Sequence, residues 1–466
     1  VWLNDEELHL TPIEYKLLCV LAHNVRINAL CNENRRQSMK QEKLFDLLKA
    51  AVSPCECVKA AKQELLENGF EEIDYTGDWK LVRGGRYVLN HHDTTMFAFT
   101  VGSGYNKNDM VRIAAAHTDY PYLRIKPNPD FMTNSYAQVN VEVYGGPILN
   151  TWFDRPLGVA GRVAVRSEDV FNPRMVLYRS KKPVMIIPNL AIHMNRDVNK
   201  GVEINNQVDL MPVLDSIPED ERTTDYFLSF LAGELSVEKS DIIDFELNTF
   251  CMEEPCFVGV NDTMISSPRI DNQSSCRALL DAIEDGNRAD GINIIALFDH
   301  EEVGSSSKQG AASIMLHDML RRILRNMDLS ENEIDESIYD AMLLSVDVAH
   351  ALHPNKKEKM DITNMPVMGK GFCIKQACSQ SYATDAQAIA ILCQLCDEKG
   401  IPYQRFVNRS DSRGGSTLGS IAGTLLPVKT VDIGIPILAM HSACELMGVR
   451  DMKALSDCVT AFFGYH

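Results

Sequence analysis

Three continuous apolar runs in this chain each end in histidine or acidic residues. MVRIAAA leads into His117 and Asp119, INIIALF leads into residues 299–302, and AMLLSV leads into Asp347. A strand that is apolar on both sides is covered on both faces, as in a mostly parallel sheet flanked by helices. Ligands of such sheets bind beyond the carboxyl ends of the strands. The runs therefore predict an α/β fold with polar side chains gathered at one edge of a buried sheet.

Two further polar residues fit the same pattern. The apolar stretch VKTVDIGIPILAM leads to His441, and Asp271 precedes the helical sequence NQSSCRALLDAI. Taken singly, each candidate has a structural alternative, because an aspartate can cap a helix and the acidic pair Glu301–Glu302 can begin a solvated one. Taken together, strand ends that carry His, Asp and Glu supply the ligand types of a hydrolase with two metal ions.

The sequence pattern changes along the chain. Residues 26–119 and 251–466 alternate amphipathic helices with buried strands, which predicts a split catalytic domain. Residues 120–250 consist of short β-branched segments divided by Gly, Pro and Asn, which predicts a β-rich insert. We therefore expect an α/β domain, with a mostly parallel sheet, that is interrupted by the insert.

The first 25 residues look foreign to the rest of the chain. They contain LHLTPIEYKLLCVLAHN, with a helix start at Thr11–Pro12. This segment resembles the first strand and helix of the winged-helix domain of response regulators. It is too short for that DNA-binding fold, so we interpret residues 1–25 as a remnant or an artefact of an upstream start.

Net charge, apolar runs and cysteine usage indicate which partners and which cellular location the sequence favours. The chain has 46 basic and 64 acidic residues, a formal charge of −18, which argues against general binding to nucleic acid or anionic membranes. No run of eighteen apolar residues predicts a membrane span. The N-terminal sequence VWLNDEELHL does not resemble a secretory signal, and the thirteen cysteines form no disulfide framework. These features predict a cytoplasmic protein.

Seven blocks of sequence identify a family. They are AAHTDYPYLRIKP, YGGPILNTWFDRPLGVAGRV, IPNLAIHMNR, SPRIDNQSSC, FDHEEVGSSSKQGA, SVDVAHALHPN and DIGIPILAMHSACE. Together they resemble the aspartyl aminopeptidase family of zinc metallopeptidases, from about Lys43 onwards. The resemblance implies a zinc-exopeptidase-like fold and a metallo-aminopeptidase, a hydrolase that removes N-terminal residues from peptides.

The resemblance also implies two divalent metal ions per subunit, zinc by preference, with cobalt or manganese as alternatives. Asp271 would bridge the two ions. His117 and Asp347 would complete one site. Glu302 and His441 would complete the other.

Two residues next to these ligands are implied to act in catalysis. Glu301 would be the general base that takes a proton from a metal-bridged water. Asp119 would orient the imidazole of His117. The family name implies a preference for N-terminal Asp or Glu, and Lys375 matches a lysine that lies near the substrate in this family. A broad or neutral specificity, and a non-catalytic assembly protein, remain the alternatives.

An oligomer is implied by His193, which matches a family histidine that reaches into the active site of a neighbouring subunit. In the family, the insert makes the dimer contact, and dimers assemble into a tetrahedral dodecamer. The expected partners are thus peptide substrates and further copies of this chain, without nucleic acid or membrane.

Overall fold

The computed structural model describes residues 2–3, 6–7, 38–412 and 414–466. The chain divides into two compact units, Val1–Asp46 and Leu47–His466. In the first unit, strands β1 (Trp2–Leu3) and β2 (Glu6–Glu7) pair antiparallel. The helix predicted within residues 1–25 lies outside the described residues.

Helices occur throughout the described chain from residue 38 onwards. They are α1 (38–50), α2 (Pro54–Glu67), α3 (Tyr226–Leu235), α4 (Ile270–Asp285), α5 (Met315–Asn326), α6 (Glu331–Asp340), α7 (Ala386–Lys399), α8 (Leu418–Leu425) and α9 (Val449–Gly464). The start of α2 follows from Ser53, whose side chain accepts the N–H of Glu56 and so caps the helix. Gly69, with φ of 83°, follows its end, a conformation that glycine adopts readily.

A nine-stranded sheet forms the centre of the second unit. In spatial order its strands are β19 (Tyr403–Val407), β18 (Phe372–Gln376), β20 (Lys429–Gly434), β16 (Met342–Val346), β6 (Val111–His117), β15 (Ile292–Phe298), β5 (Thr95–Val101), β4 (Arg86–His91) and β3 (Glu71–Glu72). The four central strands, from β20 to β15, are parallel. The contacts of β18 with β20, of β15 with β5 and of β5 with β4 are antiparallel. The edge pairs, β19 with β18 and β3 with β4, are also parallel, and the predicted α/β class is confirmed.

Both faces of this central sheet are covered. Ile113, Ile294 and Phe298 point into a core with residues of α5, α6 and α8. The alternate residues Ala114 and Ile295 are also fully buried, and α4 and α9 lie against the same strands. Apolar residues are therefore required at successive positions, which explains the continuous apolar runs.

A six-stranded antiparallel sheet lies between β6 and α4 in the sequence. In spatial order its strands are β10 (Arg174–Arg179), β9 (Leu157–Val165), β12 (Ile242–Cys251), β7 (Tyr122–Thr133), β8 (Tyr136–Tyr144) and β11 (Val213–Ser216). Helix α3 packs on β7. The β-rich pattern of residues 120–250 thus corresponds to strands, while the limits of the domains stay a prediction.

A third sheet joins the segments that carry two of the candidate ligands. Its strands are β13 (Cys256–Val258), β14 (Met264–Ser267), β22 (Glu445–Gly448), β21 (Pro436–Leu438) and β17 (Ala349–His350). Asp271 follows β14, and His441 follows β21. In the described part of the chain, no helix is long and apolar enough to cross a bilayer.

Candidate metal centre

The candidate residues converge at the carboxyl ends of three neighbouring parallel strands. His117 is the last residue of β6, and Asp347 directly follows β16. Glu301 and Glu302 begin a short 3₁₀ turn after β15. Since β16, β6 and β15 are adjacent, side chains that are 230 residues apart in the sequence are brought together at one edge of the sheet.

His117 faces two carboxylates. Its Nε2 atom lies 3.4 Å from Oδ1 of Asp271 and 3.5 Å from Oδ1 of Asp347. The imidazole is 1% exposed, so these contacts are made out of reach of bulk water. Burial opposes the charged imidazole, but the carboxylates outweigh it and raise the pKa of His117 well above its usual range.

His441 makes an equivalent pair of contacts on the other side of Asp271. Its Nε2 atom lies 3.4 Å from Oδ2 of Asp271 and 3.4 Å from Oε2 of Glu302. The ring is oriented by Gly146, whose carbonyl oxygen lies 3.0 Å from Nδ1. Each oxygen of Asp271 therefore faces a different histidine, and the Nε2 atom of each histidine faces one further carboxylate.

This donor set fits divalent metal ions. One atom each from His117, Asp271 and Glu302 lie within 4.8 Å of one another. Among the described residues, the buried atoms Oδ1 of Asp271 and Oε1 of Glu302 have no hydrogen-bond partner, although buried polar atoms nearly always have one. Burial, together with the charge of Asp271, raises the pKa of Glu302 well above its usual range. Cations would satisfy the free oxygens and the uncompensated charge, and imidazole with carboxylate suits zinc.

Asp119 holds the turn that carries the two glutamates. Its Oδ1 accepts the N–H of Glu301 at 3.1 Å, and its Oδ2 accepts the N–H of Glu302 at 3.1 Å. Oδ1 also lies 3.3 Å from Nδ1 of His117, and Tyr144 donates its hydroxyl to Oδ2 at 2.7 Å. The sequence predicted the contact with His117 but missed the backbone contacts and Tyr144.

Glu301 lies beside the donor groups. The carboxylates nearest to Nε2 of His117 and of His441 belong to other residues. Its side chain is mostly buried, and burial raises its pKa to about 8. The nearby charge of Asp347 adds to this shift, while His117 opposes it. A carboxylate that lies beside the donor groups and is not one of the candidate ligands is available for proton transfer, as a general base must be.

Comparison with known proteins identifies the family of this chain. Residues 47–463 match the family described as "Aminopeptidase I zinc metalloprotease (M18)". The chain belongs to the M18 family of zinc aminopeptidases. It is 44% identical over 423 residues to the "Probable M18 family aminopeptidase 2" of Clostridium acetobutylicum, covering 91% of this chain and 98% of that relative. The predicted family resemblance and the metallo-aminopeptidase activity are confirmed.

Two solved structures show how far the M18 fold is shared. The first is described as "Cryo-EM structure of the Ape4 and Nbr1 complex"; it has a TM-score of 0.87 and 31% identity, covering 92% of this chain and 86% of that chain. The second, "Structure of S. cerevesiae mApe1 dodecamer", has a TM-score of 0.78 and 22% identity, covering 92% of this chain and 97% of that chain. The second likeness shows the fold alone.

Lys375 of this M18 aminopeptidase contacts a candidate ligand. Its Nζ lies 3.3 Å from Oδ2 of Asp347 and donates to the carbonyl of Val348 at 3.1 Å. The ammonium group also lies 5.0 Å from the centre of the Tyr382 ring. Lys375 is 1% exposed, so its charge is directed towards Asp347, and its role with substrate stays a prediction.

His193 is placed apart from the other candidates. It is exposed, in the segment between β10 and β11. No hydrogen bond or ion pair joins it to the candidate centre within the described part of this single chain. Its predicted role in a neighbouring subunit therefore stays a prediction.

A cavity of about 270 Å³ adjoins the candidate centre. Its lining includes Met440, which directly precedes His441, and the buried residues Met360 and Phe406. The charged residues in the lining are Lys359, Asp361 and Arg409. The cavity is large enough for one amino-acid side chain.

Three buried polar residues that the sequence did not single out fix the ligand segments. Asn272 donates to the carbonyl of Val346 at 2.9 Å, and Gln273 donates to the carbonyl of Thr118 at 2.8 Å. Helix α4 is thereby joined to the ends of β16 and β6. Glu445 is the third such residue. The blocks SPRIDNQSSC and HSACE contain all three, but nothing in the letters distinguishes them from surface residues.

Proposed function

We propose that this M18 aminopeptidase removes N-terminal residues, Asp and Glu in particular, from peptides at the candidate metal centre. The observation that carries the proposal is the position of Asp271, whose two oxygens face His117 and His441 from opposite sides. This is the arrangement expected of a carboxylate shared by two ions.

The contacts support the assignment of residues to the two ions that the family resemblance implies. His117 and Asp347 would hold one, Glu302 and His441 would hold the other, and Asp271 would contact both. When bound, the two ions supply Lewis acidity that polarises the scissile carbonyl and acidifies water. Zinc is the preferred ion, with cobalt or manganese as alternatives.

The protein's own residues supply the proton transfers. Glu301 takes a proton from the attacking water and passes it to the leaving amine. Asp119 keeps Glu301 in place by accepting the backbone N–H of Glu301. Because Asp119 also lies against Nδ1 of His117, it fixes the base and one metal ligand together.

Metal analysis tests this proposal directly. Protein purified without chelator should contain about two divalent ions per chain and should release the first residue from aminoacyl p-nitroanilides. Absence of stoichiometric metal in active protein would refute the proposed centre. Hydrolysis of blocked, N-acetylated substrates at the same rate would refute removal from a free N-terminus.

The cavity beside His441 supports a preference for acidic first residues. Lys359 and Arg409 supply positive charge in its lining, which also contains the acidic residue Asp361, and the charge of Lys375 acts on His350, another lining residue. Arg409 is partly neutralised by Asp411, whose Oδ2 lies 2.7 Å from Nη2. Arg413, the next arginine along this loop, lies outside the described residues.

A panel of aminoacyl substrates separates acidic from neutral specificity. We expect kcat/KM to be at least ten-fold higher for Glu and Asp than for Leu and Ala, and lowest for Lys. The apolar residues Met360 and Phe406 in the cavity favour the alternative, a broad or neutral preference. Higher kcat/KM for Leu than for Glu would establish that alternative.

We propose that copies of this chain assemble through residues 120–250. Large apolar side chains are exposed in this region, among them Phe171 at 93%, Met194 at 74% and Leu190 at 53%. Exposed apolar surface of this kind marks interaction sites. The yeast relative is described as a dodecamer, which supports dimers that assemble into a tetrahedral dodecamer here.

Mixing two inactive variants tests whether His193 acts in the neighbouring subunit. His193→Ala and Glu301→Gln should each lose activity when assembled alone. Co-expressed, they form some sites that combine Glu301 of one subunit with His193 of the other, so activity should return. Failure of the mixture to exceed the two separate variants would refute the shared site.

The cysteines support a cytoplasmic location. The structure describes eleven cysteines, and each is a free thiol. The Sγ atoms of Cys396 and Cys458 approach to 3.7 Å without a bond. A reducing compartment maintains thiols in this state.

A further inference from the structure

Glu445 is a buried carboxylate whose two oxygens are both occupied by the backbone of candidate metal ligands. Its Oε2 accepts the N–H of Asp271 at 2.9 Å, and its Oε1 accepts the N–H of His441 at 2.8 Å. The residue is 3% exposed. Each oxygen thus contacts a different ligand, and the two ligands are 170 residues apart in the sequence.

The third sheet explains how Glu445 comes to lie between these ligands. Glu445 begins β22, which pairs with β14 on one side and with β21 on the other. The chain continues from β14 to Asp271 and from β21 to His441. Both ligand segments therefore leave the sheet on either side of β22, and the Glu445 side chain bridges them.

Both segments have backbone conformations that need support. Arg269 has φ of 64°, Ala439 has φ of 57°, and His441 itself has φ of 67°. Residues other than glycine rarely adopt these left-handed values, because Cβ approaches the backbone too closely. The hydrogen bonds of Glu445 fall directly on or beside these turns, so they oppose relaxation of the turns to ordinary conformations.

We propose that Glu445 is a positioning residue that sets the spacing between Asp271 and His441 for metal binding. The two side chains approach to 3.4 Å, between Oδ2 and Nε2, and Glu445 fixes both from behind through their main chain. Its two hydrogen bonds go to main-chain N–H groups and not to the side-chain atoms of the candidate ligands. The inference rests on the proposed metal centre and adds a residue that holds it in shape.

Asp451 provides a matched control for this role. It lies in α9, it is fully buried, and it also accepts two backbone N–H groups, from Gly369 at 2.6 Å and Gly371 at 2.8 Å. Its partners are loop glycines and not candidate ligands. Glu445→Gln and Asp451→Asn therefore remove the same kind of buried hydrogen bond, once at the ligand segments and once elsewhere.

The experiment compares the full-length assembled protein with these two variants. Zinc affinity is measured by competition with a chromophoric chelator, and the visible spectrum is recorded with cobalt as the only added metal. We expect Glu445→Gln to weaken binding of one of the two ions at least ten-fold, to change the cobalt spectrum, and to lower kcat with little effect on KM. Asp451→Asn should lower the melting temperature but keep the zinc affinity and cobalt spectrum of the unsubstituted protein.

The outcomes separate the positioning role from a general structural one. Unchanged zinc affinity and cobalt spectrum in Glu445→Gln would overturn the inference, and so would an equal loss in Asp451→Asn. If Glu445→Gln does not fold, Glu445→Asp is measured instead; it keeps the acceptor chemistry on a shorter side chain and should show the same loss of one ion. Failure of the unsubstituted protein to bind two ions would overturn the proposed function, whatever the variants do.

Discussion

The nine-stranded and six-stranded sheets of the second unit use their surfaces in different ways. All seven residues of β15 and all five residues of β16 are buried, because helices cover both faces. In β10 only one of six residues is fully buried, and Met175 is 46% exposed. A sheet that is covered on both faces exposes polar groups to a ligand mainly at its strand ends, where the candidate metal centre lies. The partly open sheet has apolar surface available for another copy of the chain.

This contrast leads to the expectation that changes at the two sheets have different consequences. Changes at the strand ends of the central sheet should abolish chemistry and leave assembly intact. Changes on the open surface of the six-stranded sheet should affect assembly first. The following predictions test this separation.

Removal of the metal should have the largest effect. Dialysis against a strong chelator should lower kcat by about a thousand-fold or more, since bound ions supply several kcal/mol of transition-state stabilisation. Added zinc should restore the activity. Size-exclusion chromatography should show an unchanged assembly, because the donors lie at the central sheet. Full activity in protein shown to be metal-free would contradict the prediction.

Glu301→Gln should lower kcat by about a hundred- to ten-thousand-fold, the usual contribution of a general base. Metal content should stay at the level of the unsubstituted protein, because Glu301 is not among the proposed donors. Steady-state kinetics and elemental analysis of the same sample measure both quantities. Glu336→Gln, at an exposed position of α6, is the control and should change kcat less than two-fold. Loss of metal in Glu301→Gln would show that this residue is a ligand.

Two leucine truncations compare the free energy of unfolding at a buried position of the central sheet with that at an exposed position in the six-stranded region. Leu297→Ala in β15 removes a fully buried side chain and should lower the free energy of unfolding by about 2–5 kcal/mol at every protein concentration. Leu190→Ala, at a 53% exposed position between β10 and β11, should cost less than about 0.5 kcal/mol in dissociated subunits. Its effect should appear only at concentrations where subunits assemble. Denaturant unfolding over a range of protein concentrations distinguishes the two, and equal costs in dilute protein would remove the contrast.

Deletion of residues 1–25 should have the smallest effect. The family match begins at residue 47, so the deleted segment lies outside the matched residues. We expect kcat within two-fold of the full chain and an unchanged elution volume. A large loss of activity or assembly would show that this segment is part of the functional protein.

The sequence predicted the location of the site because burial leaves a clear signal. Six of the seven residues before His117 are apolar, which is typical of a strand covered on both faces, and the polar residue that follows then lies at a strand end. The sequence contains no comparable signal for the direction of a strand. The antiparallel contacts of β18 with β20 and of β15 with β5 were therefore not predicted.

The supporting hydrogen bonds were not predictable for a similar reason. Tyr144 bonds to Asp119 across 25 residues, and Glu445 bonds to Asp271 across 174. A buried glutamate and a surface glutamate have the same letter, and only the fold decides which of them accepts two backbone N–H groups. The five donors themselves were inferred from the family resemblance, which already contains the information on which distant residues meet.

The wide separation of the donors along the chain has a consequence for synthesis of the protein. His117 is made first, and His441 is made 94 residues after Asp347. A nascent chain that already contains four of the five donors still lacks the histidine that closes the centre, as well as the strand β22 that places it. We therefore expect hydrolysis to begin only after the segment with His441 and β22 has been made, because the proposed centre needs both.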